Sequence, residues 1–472
     1  MKRKTFLSSI LVFATAIALC SCGKAGKPRA KYDIAAEYFV SGVLNVKETV
    51  TLVSDGEETE IKFNLYPNAY RESAAITPLK AQDGRGDFIL TEVLLDGNKA
   101  EYSIEGTDKN VLCVKTDGAA KDGEKLEIGL SFTVVLSESD ERASRGAGRA
   151  NLGNVFPTLC AKINGKPIEC EYGSIGDPFV SECADYEVAL TVPGSYVVAC
   201  GQKAVSCDVD GDKTMYRYSA ECVRDVAFAL NERYEVKVQK SRDRSITYCF
   251  YGDDRADETL GVAIEALEYF ESVFGKYPYG GLCIAETEFE AGGMEYPCTV
   301  YVADDLDYED RLFATVHEIA HQWWYGVVGN DQTREPYLDE SLAEYSAYLY
   351  FSEHPSRGVD AEKFVRSKRE GCAFCERALK SLYPDRSFGV SRALGEFVNE
   401  YDYVNAVYGK GLLMMKAAED AVGRRTLLKR LNGYRDKTEF SIATTADFLS
   451  AMGSAKGVIT SYLDGKVLLS SI

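Results

Sequence analysis

The stretch His317-Glu318-Ile319-Ala320-His321 places two imidazoles four residues apart. On a helix that spacing sets both rings on one face, one turn apart, where they can share one ion. A catalytic zinc takes three protein ligands and keeps one position for water. Glu340 is placed to be the third, because positions 321 and 340 leave eighteen residues between them. That length lets one helix end, turn and return antiparallel. His317, His321 and Glu340 therefore predict a centre for one Zn2+ per chain. Glu318, between the histidines, can point past such an ion toward the open position. It suits the general base of metal-assisted hydrolysis and can later return the proton to the leaving group. Glu344, one turn after Glu340, has two readings: an acceptor for a ring N–H of a ligand histidine, or an exposed helix glutamate. The remaining histidine, His354, precedes Pro355 and reads as a surface residue.

These residues require helices, and the sequence supplies them in its second half. From about 255 the apolar period is helical, with Leu260, Ile264, Leu267, Phe270 and Phe274 on one stripe. Further helical patterns cover about 308–328, 335–353, 360–380, 399–421 and 424–435. Trp323 and Trp324 directly follow the second histidine and read as core packing. Before the change, from about 32 to 240, apolar residues alternate in short runs bounded by turn residues. Leu126, Ile128, Leu130, Phe132 and Val134 share one parity, as do Tyr186, Val188, Leu190 and Val192. The 472 residues exceed one compact core. The expectation is a multidomain chain, β then α: a β-sandwich-like domain over 32–245 and a mainly helical domain over 246–472.

The phrases HEIAHQWWYG and YLDESLAEY resemble those of the zinc aminopeptidases of the aminopeptidase N and leukotriene A-4 hydrolase family. Ala291-Gly292-Gly293-Met294-Glu295-Tyr296 is similar to that family's G-x-M-E-N segment, and Tyr408-Gly409-Lys410-Gly411 to its Y-x-K-G. Phe63–Pro67 and Phe156–Thr158 look like its recurring strand-end phrases. The resemblance implies a saddle-like N-terminal domain followed by a thermolysin-like, mainly α-helical zinc peptidase domain, acting on peptide N-termini. It assigns Gly292, Gly293 and Met294 to substrate binding, Glu295 to the substrate α-amine and Tyr408 to the oxyanion. Physically, glycines let a backbone approach an extended peptide closely, and a carboxylate is a sound partner for an ammonium group. Tyr296 stands where the family has Asn. The family's second amine-binding acid or amide, from the β domain, has no match in the sequence. After Tyr408 there is no room for the large helical domain of bigger members, so a more open cleft is expected.

The first residues, MKRKTFLSSILVFATAIALCSC, combine a basic start, an apolar run and small residues. They read as a signal peptide over 1–21. Leu19-Cys20-Ser21-Cys22 resembles a bacterial lipobox, with Cys22 lipidated and 22–31 as a tether. An extracytoplasmic membrane lipoprotein, at the cell surface or periplasmic face, is expected. A net charge of −19 excludes nucleic acid as a natural partner and favours cationic peptides near the cleft. Of fourteen cysteines, Cys20 falls in the leader and Cys22 is the expected lipidation site. The other twelve could pair in an oxidising compartment, with a cross-strand bridge expected between Cys200 and Cys207. Cys372 and Cys375 read as structural.

Taken together, the sequence points to a peptidase trimming N-terminal residues from peptides. A metalloendopeptidase and a non-catalytic peptide-binding or adhesion module on the same scaffold are the alternatives. Retention of Glu318 beside all three ligands favours an enzyme, because a module without turnover has no physical need of that base.

Overall fold

A computed structural model describes residues 29–469 except 57, 72–73, 75–84, 117 and 164. The expected leader and Cys22 lie outside the described residues. Among the described residues, no helix is long and apolar enough to cross a membrane.

The alternating runs form an eight-stranded sheet. Its order is Lys203–Asp210, Lys213–Val223, Ala184–Pro193, Ala30–Phe39, Val43–Val53, Lys125–Val135, Asp87–Leu95 and Asn98–Lys99. Neighbours are antiparallel except Ala30–Phe39 and Ala184–Pro193, which run parallel with Tyr32 beside Tyr186. Those two rings stack at 4.5 Å. One parity of each central strand is buried, as the alternation requires: Leu126, Ile128, Leu130, Phe132 and Val134 face the core. Two smaller sheets share this core. One contains Glu60–Asn64 and Val111–Lys115, the other Arg149–Leu152 and Phe228–Asn231.

The strand Ala30–Phe39 begins inside the segment expected to be a tether. The layer change also falls earlier than 246, because Glu235–Ser241 already pairs with Arg244–Phe250 in a second, mixed sheet. That sheet continues through Gly281–Thr287 and Thr299–Ala303 to the short edge strand Gly293–Met294. Sequence alternation cannot tell which sheet a strand joins, so this boundary was not visible in the period.

Helices follow: α1 (Ala256–Phe274), α2 (Tyr308–Ala320), α3 (Tyr337–Glu353), α4 (Ala361–Leu382), α5 (Glu400–Val404) and α6 (Gly411–Val422). Arg224, almost wholly buried, ties the two layers together. Its guanidinium donates to the carbonyls of Ser181, Tyr325, Val327 and Ser441. The fold thus has many N-terminal strands, then a helical C-terminal domain.

All twelve cysteines in the described region are unbonded. The expected Cys200–Cys207 bridge is absent because the two belong to different sheets. Cys200 follows Val197–Ala199, paired with Phe228–Asn231, whereas Cys207 pairs with Tyr216 at the edge of the eight-stranded sheet. Cys372 and Cys375 are buried on α4, where Cys372 Sγ lies 3.0 Å from the Asn405 carbonyl.

Glu48 breaks the inward pattern of its strand. It is 1% exposed between the sheets, and neither carboxylate oxygen has a hydrogen-bond partner. Burial pushes its carboxyl well above the usual range. The folded state then holds a proton that the unfolded chain releases above its ordinary glutamate value, so stability falls as pH rises from that value. Glu48→Leu is expected to stabilise the protein by about 1–3 kcal/mol at pH 8. The gain should shrink toward pH 4, as measured by thermal unfolding of both proteins across that range.

Candidate metal centre and active-site cleft

The metal-binding face depends on where α2 starts and stops. Asp307 caps its first turn by accepting from the Asp310 amide at 3.0 Å. Arg311 pins that turn to the sheet, 3.0 Å from Glu286 and 3.2 Å from Asp253. The helix ends at Ala320 rather than continuing to 328, and the chain turns through Gln322–Val327, with Trp324 and Tyr325 outside helical dihedrals. The turn presents the Trp324 carbonyl 2.9 Å from His321 Nδ1. A proton on Nδ1 donates there and leaves Nε2 bare for a metal. Trp323 and Trp324 are buried in the aromatic packing with Phe270, Phe274 and Tyr277.

α3 returns as expected and brings Glu340 to the two rings. His317 Nε2 and His321 Nε2 lie 3.1 Å apart, and Glu340 Oε2 lies 3.2 and 3.3 Å from them. A tetrahedral zinc with bonds of about 2.0–2.1 Å separates its ligand atoms by about 3.3 Å. The near-equilateral triangle of two imidazole nitrogens and one carboxylate oxygen, all buried, therefore fits zinc. Burial opposes ionisation of Glu340, yet the His321 charge and hydrogen bonding to both rings hold it well below the usual carboxylate range.

Glu344 is not the exposed helix residue of the alternative reading. Its side chain is 2% exposed, with Oε2 3.0 Å from His317 Nδ1 and Oε1 2.7 Å from Lys368 Nζ. Glu318 is buried, and its Oε2 has no hydrogen-bond partner. Burial pushes its carboxyl up to about 7, against the pull of the two histidines. Its Oε1 presses on Gly293: a Cβ there would sit 2.2 Å away. Glycine is therefore required by the base beside it.

Gly293–Met294 pairs on one side only, with Thr299–Ala303. Its other edge is open to an extended chain. Gly292, at φ +86°, makes the turn into it. Glu295 follows, buried, and one amide nitrogen of Gln332 donates both to it at 2.8 Å and to Asp339 at 2.7 Å. Burial and then the Asp177 charge push the Glu295 carboxyl well above its usual range. Tyr296, where the resemblance has Asn, donates to Asn154 of the β domain at 2.8 Å.

Tyr408 lies in the wide-turn segment Asn405–Lys410 between α5 and α6. Its ring stacks on His317 at 5.7 Å and meets Tyr403 edge-on. Burial, then the Glu340 charge, push its phenol well up, so it remains a proton donor. The rest of the motif holds it there. Lys410 Nζ donates to Glu376 of α4 at 2.6 Å and to the Phe388 carbonyl at 2.8 Å. Gly411 lets α6 approach α3, since a Cβ would lie 2.0 Å from Ser341 Oγ.

The triad, Glu318, Glu344, Gly292, Gly293, Glu295 and Tyr408 line one cavity of about 300 Å³, whereas the Met294 side chain is buried away from it. The β domain adds residues that sequence reasoning did not identify: Glu141, and Asp177 in an ion pair with Arg142. Arg142 also donates to Met294 Sδ at 3.2 Å. Burial raises the carboxyls of both Glu141 and Asp177. Both sit in irregular segments without period, which leaves no local signal for either.

A β-domain followed by a helical domain carrying HExxH and a distant glutamate defines the gluzincin class. Within it, residues 258–465 match the model of the peptidase family M1 domain. It is 23% identical to "Probable aminopeptidase 1" of Sulfurisphaera tokodaii over 78% of this chain and 51% of that one. It is 28% identical to "Aminopeptidase N" of Lactobacillus helveticus over 52% of this chain and 31% of that one. The chain thus spans about half or less of the curated relatives it matches. The fold is that of the M1 zinc metallopeptidase from Deinococcus radiodurans, with a TM-score of 0.69, 16% identity, and coverage of 94% of this chain and 96% of that one.

Two substitutions test the centre. Glu340→Ala is expected to abolish stoichiometric zinc in purified protein, measured by elemental analysis. Gly293→Ala is expected to keep the zinc yet lose most hydrolytic activity, because the new methyl displaces Glu318; full activity in that variant would refute the contact.

Proposed function

We propose that the protein is a zinc-dependent aminopeptidase, with one Zn2+ per chain on His317, His321 and Glu340, removing N-terminal residues from peptides. The observation that carries this reading is the juxtaposition of the triad, the unpartnered Glu318 oxygen and the buried Glu295 in one cavity. When bound, zinc supplies Lewis acidity, which acidifies a water and polarises a carbonyl.

The peptide lies along the open edge at Gly292–Met294. Glu295 accepts hydrogen bonds from its α-ammonium, and that charge relieves the mutual repulsion of Glu295 and Asp177. Glu141, lining the same cavity, suits the second amine contact. Glu318 takes the proton of the attacking water and passes it to the departing amine. Tyr408 donates from its hydroxyl to the developing oxyanion. The leader's sequence supports export, with a lipid on Cys22 holding the protein to a membrane outside the cytoplasm.

Aminoacyl reporter substrates test this reading. Glu318→Gln should bind zinc but turn over at least about a thousandfold more slowly, and Tyr408→Phe should lower kcat about a hundredfold to a thousandfold. Acetylating the substrate amine should abolish cleavage. Equal rates on free and acetylated peptides would replace the aminopeptidase with an endopeptidase, and equal rates for wild type and Glu318→Gln would remove the enzyme reading altogether.

A further inference from the structure

We infer that Lys368 is a positioning residue for the metal centre, acting through Glu344 on His317. The inference rests on the zinc-site reading above. Its geometric basis is a continuous chain of contacts. Lys368 Nζ is 2.7 Å from Glu344 Oε1, and the other oxygen of the same carboxylate is 3.0 Å from His317 Nδ1. His317 Nε2 then completes the ligand triangle.

The chemistry explains why Glu344 needs the lysine. A carboxylate that holds a ligand ring in place must itself be held. Glu344 is 2% exposed on its side chain, so water cannot fix its orientation or supply a counter-charge. Lys368 does both, and its Nζ also lies over the Phe364 ring, 4.8 Å from the centroid. Phe364 in turn packs on Phe313 at 4.2 Å, one helical turn before His317. The lysine's own side chain is 27% exposed.

The helix that carries Lys368 also carries the supports of the oxyanion donor. On α4, Lys368, Cys372 and Glu376 recur every four residues and so share a face. Cys372 contacts the Asn405 carbonyl and Glu376 binds Lys410, the two ends of the segment bearing Tyr408. One face of α4 thereby sets His317 from one side and Tyr408 from the other. Lys368 also borders the cavity, so a direct contact with substrate is the rival role.

Full-length protein stripped of metal and titrated with zinc against a competing chelator distinguishes them. Lys368→Met is expected to weaken zinc binding about tenfold or more, with Lys368→Arg within about threefold of wild type. The thermal midpoints of the metal-free proteins should agree. Glu344→Gln should weaken binding similarly, and Lys368→Met/Glu344→Gln should add little, because both act through one contact. Unchanged zinc affinity in Lys368→Met overturns the inference, and a raised KM alone then assigns Lys368 to substrate. Independent, multiplying losses in the double variant also overturn it. Wild-type protein that takes up no zinc overturns the metal-centre reading and this inference together.

Discussion

The structure depends on one electrostatic constraint, the confinement of Asp177, Glu295, Glu318, Glu340 and Glu344 in one cleft, with Asp339 buried close beside Glu295 and His321. Burial alone raises carboxylate pKa values, and each neighbouring charge raises them further. Arg142, Lys368 and the two imidazoles oppose this accumulation. Asp339 is pushed up to about 7, by burial first and Glu340 next, and Glu318 similarly to about 7. A divalent cation held by the triangle, and on the proposed reading an ammonium at Glu295, would offset this accumulation. The acids that make the site costly to fold are the same ones that make it selective for its occupants.

The surroundings read as devices for bearing that cost. Arg311 and Glu286 fix the start of α2 to the sheet, so the histidines cannot move apart along the helix. At the other end, Arg224 gathers the Tyr325 and Val327 carbonyls of the turn that orients His321. Gln332 gives each of two adjacent acids one N–H, which keeps Glu295 and Asp339 separated at little charge cost. These are buried, hydrogen-bonded groups on regular elements or beside them, where small displacements are expensive.

Much of this was legible in the sequence, and what was legible followed from period and spacing. The positions of α2 and α3 follow from apolar stripes, and the meeting of His317, His321 and Glu340 from fixed helical geometry. The inward parity of Leu126 to Val134 likewise needed only the pleat. What escaped was non-local. Nothing local in Glu141 or Asp177 says that irregular segments of the β domain will deliver them to this cleft. The end of α2 at Ala320 depends on Arg224, distant in sequence, and the strand Glu235–Ser241 looks the same whichever sheet it joins. Glu344 could not be decided from α3 alone, because Lys368 on another helix determines its environment.

The non-local part is also what turns a metal-binding helix pair into a cleft of defined chemistry. α2 and α3 carry the ligands and base themselves, with Arg224 of the β domain steadying the turn behind His321. The cleft near Glu295 does not form that way: Asp177 and Arg142 border it from the β domain, Arg142 contacts Met294 of the edge strand, and Asn154 holds Tyr296. Gly153 has no room for a Cβ beneath that tyrosine, whose hydroxyl would be 2.0 Å away. The edge strand is thus clamped by the β domain on the side chains flanking Glu295, while its backbone edge stays open. On the proposed reading, selectivity for a chain terminus over a chain interior would reside in this junction between the domains, while the metal ligands and base come from the helices.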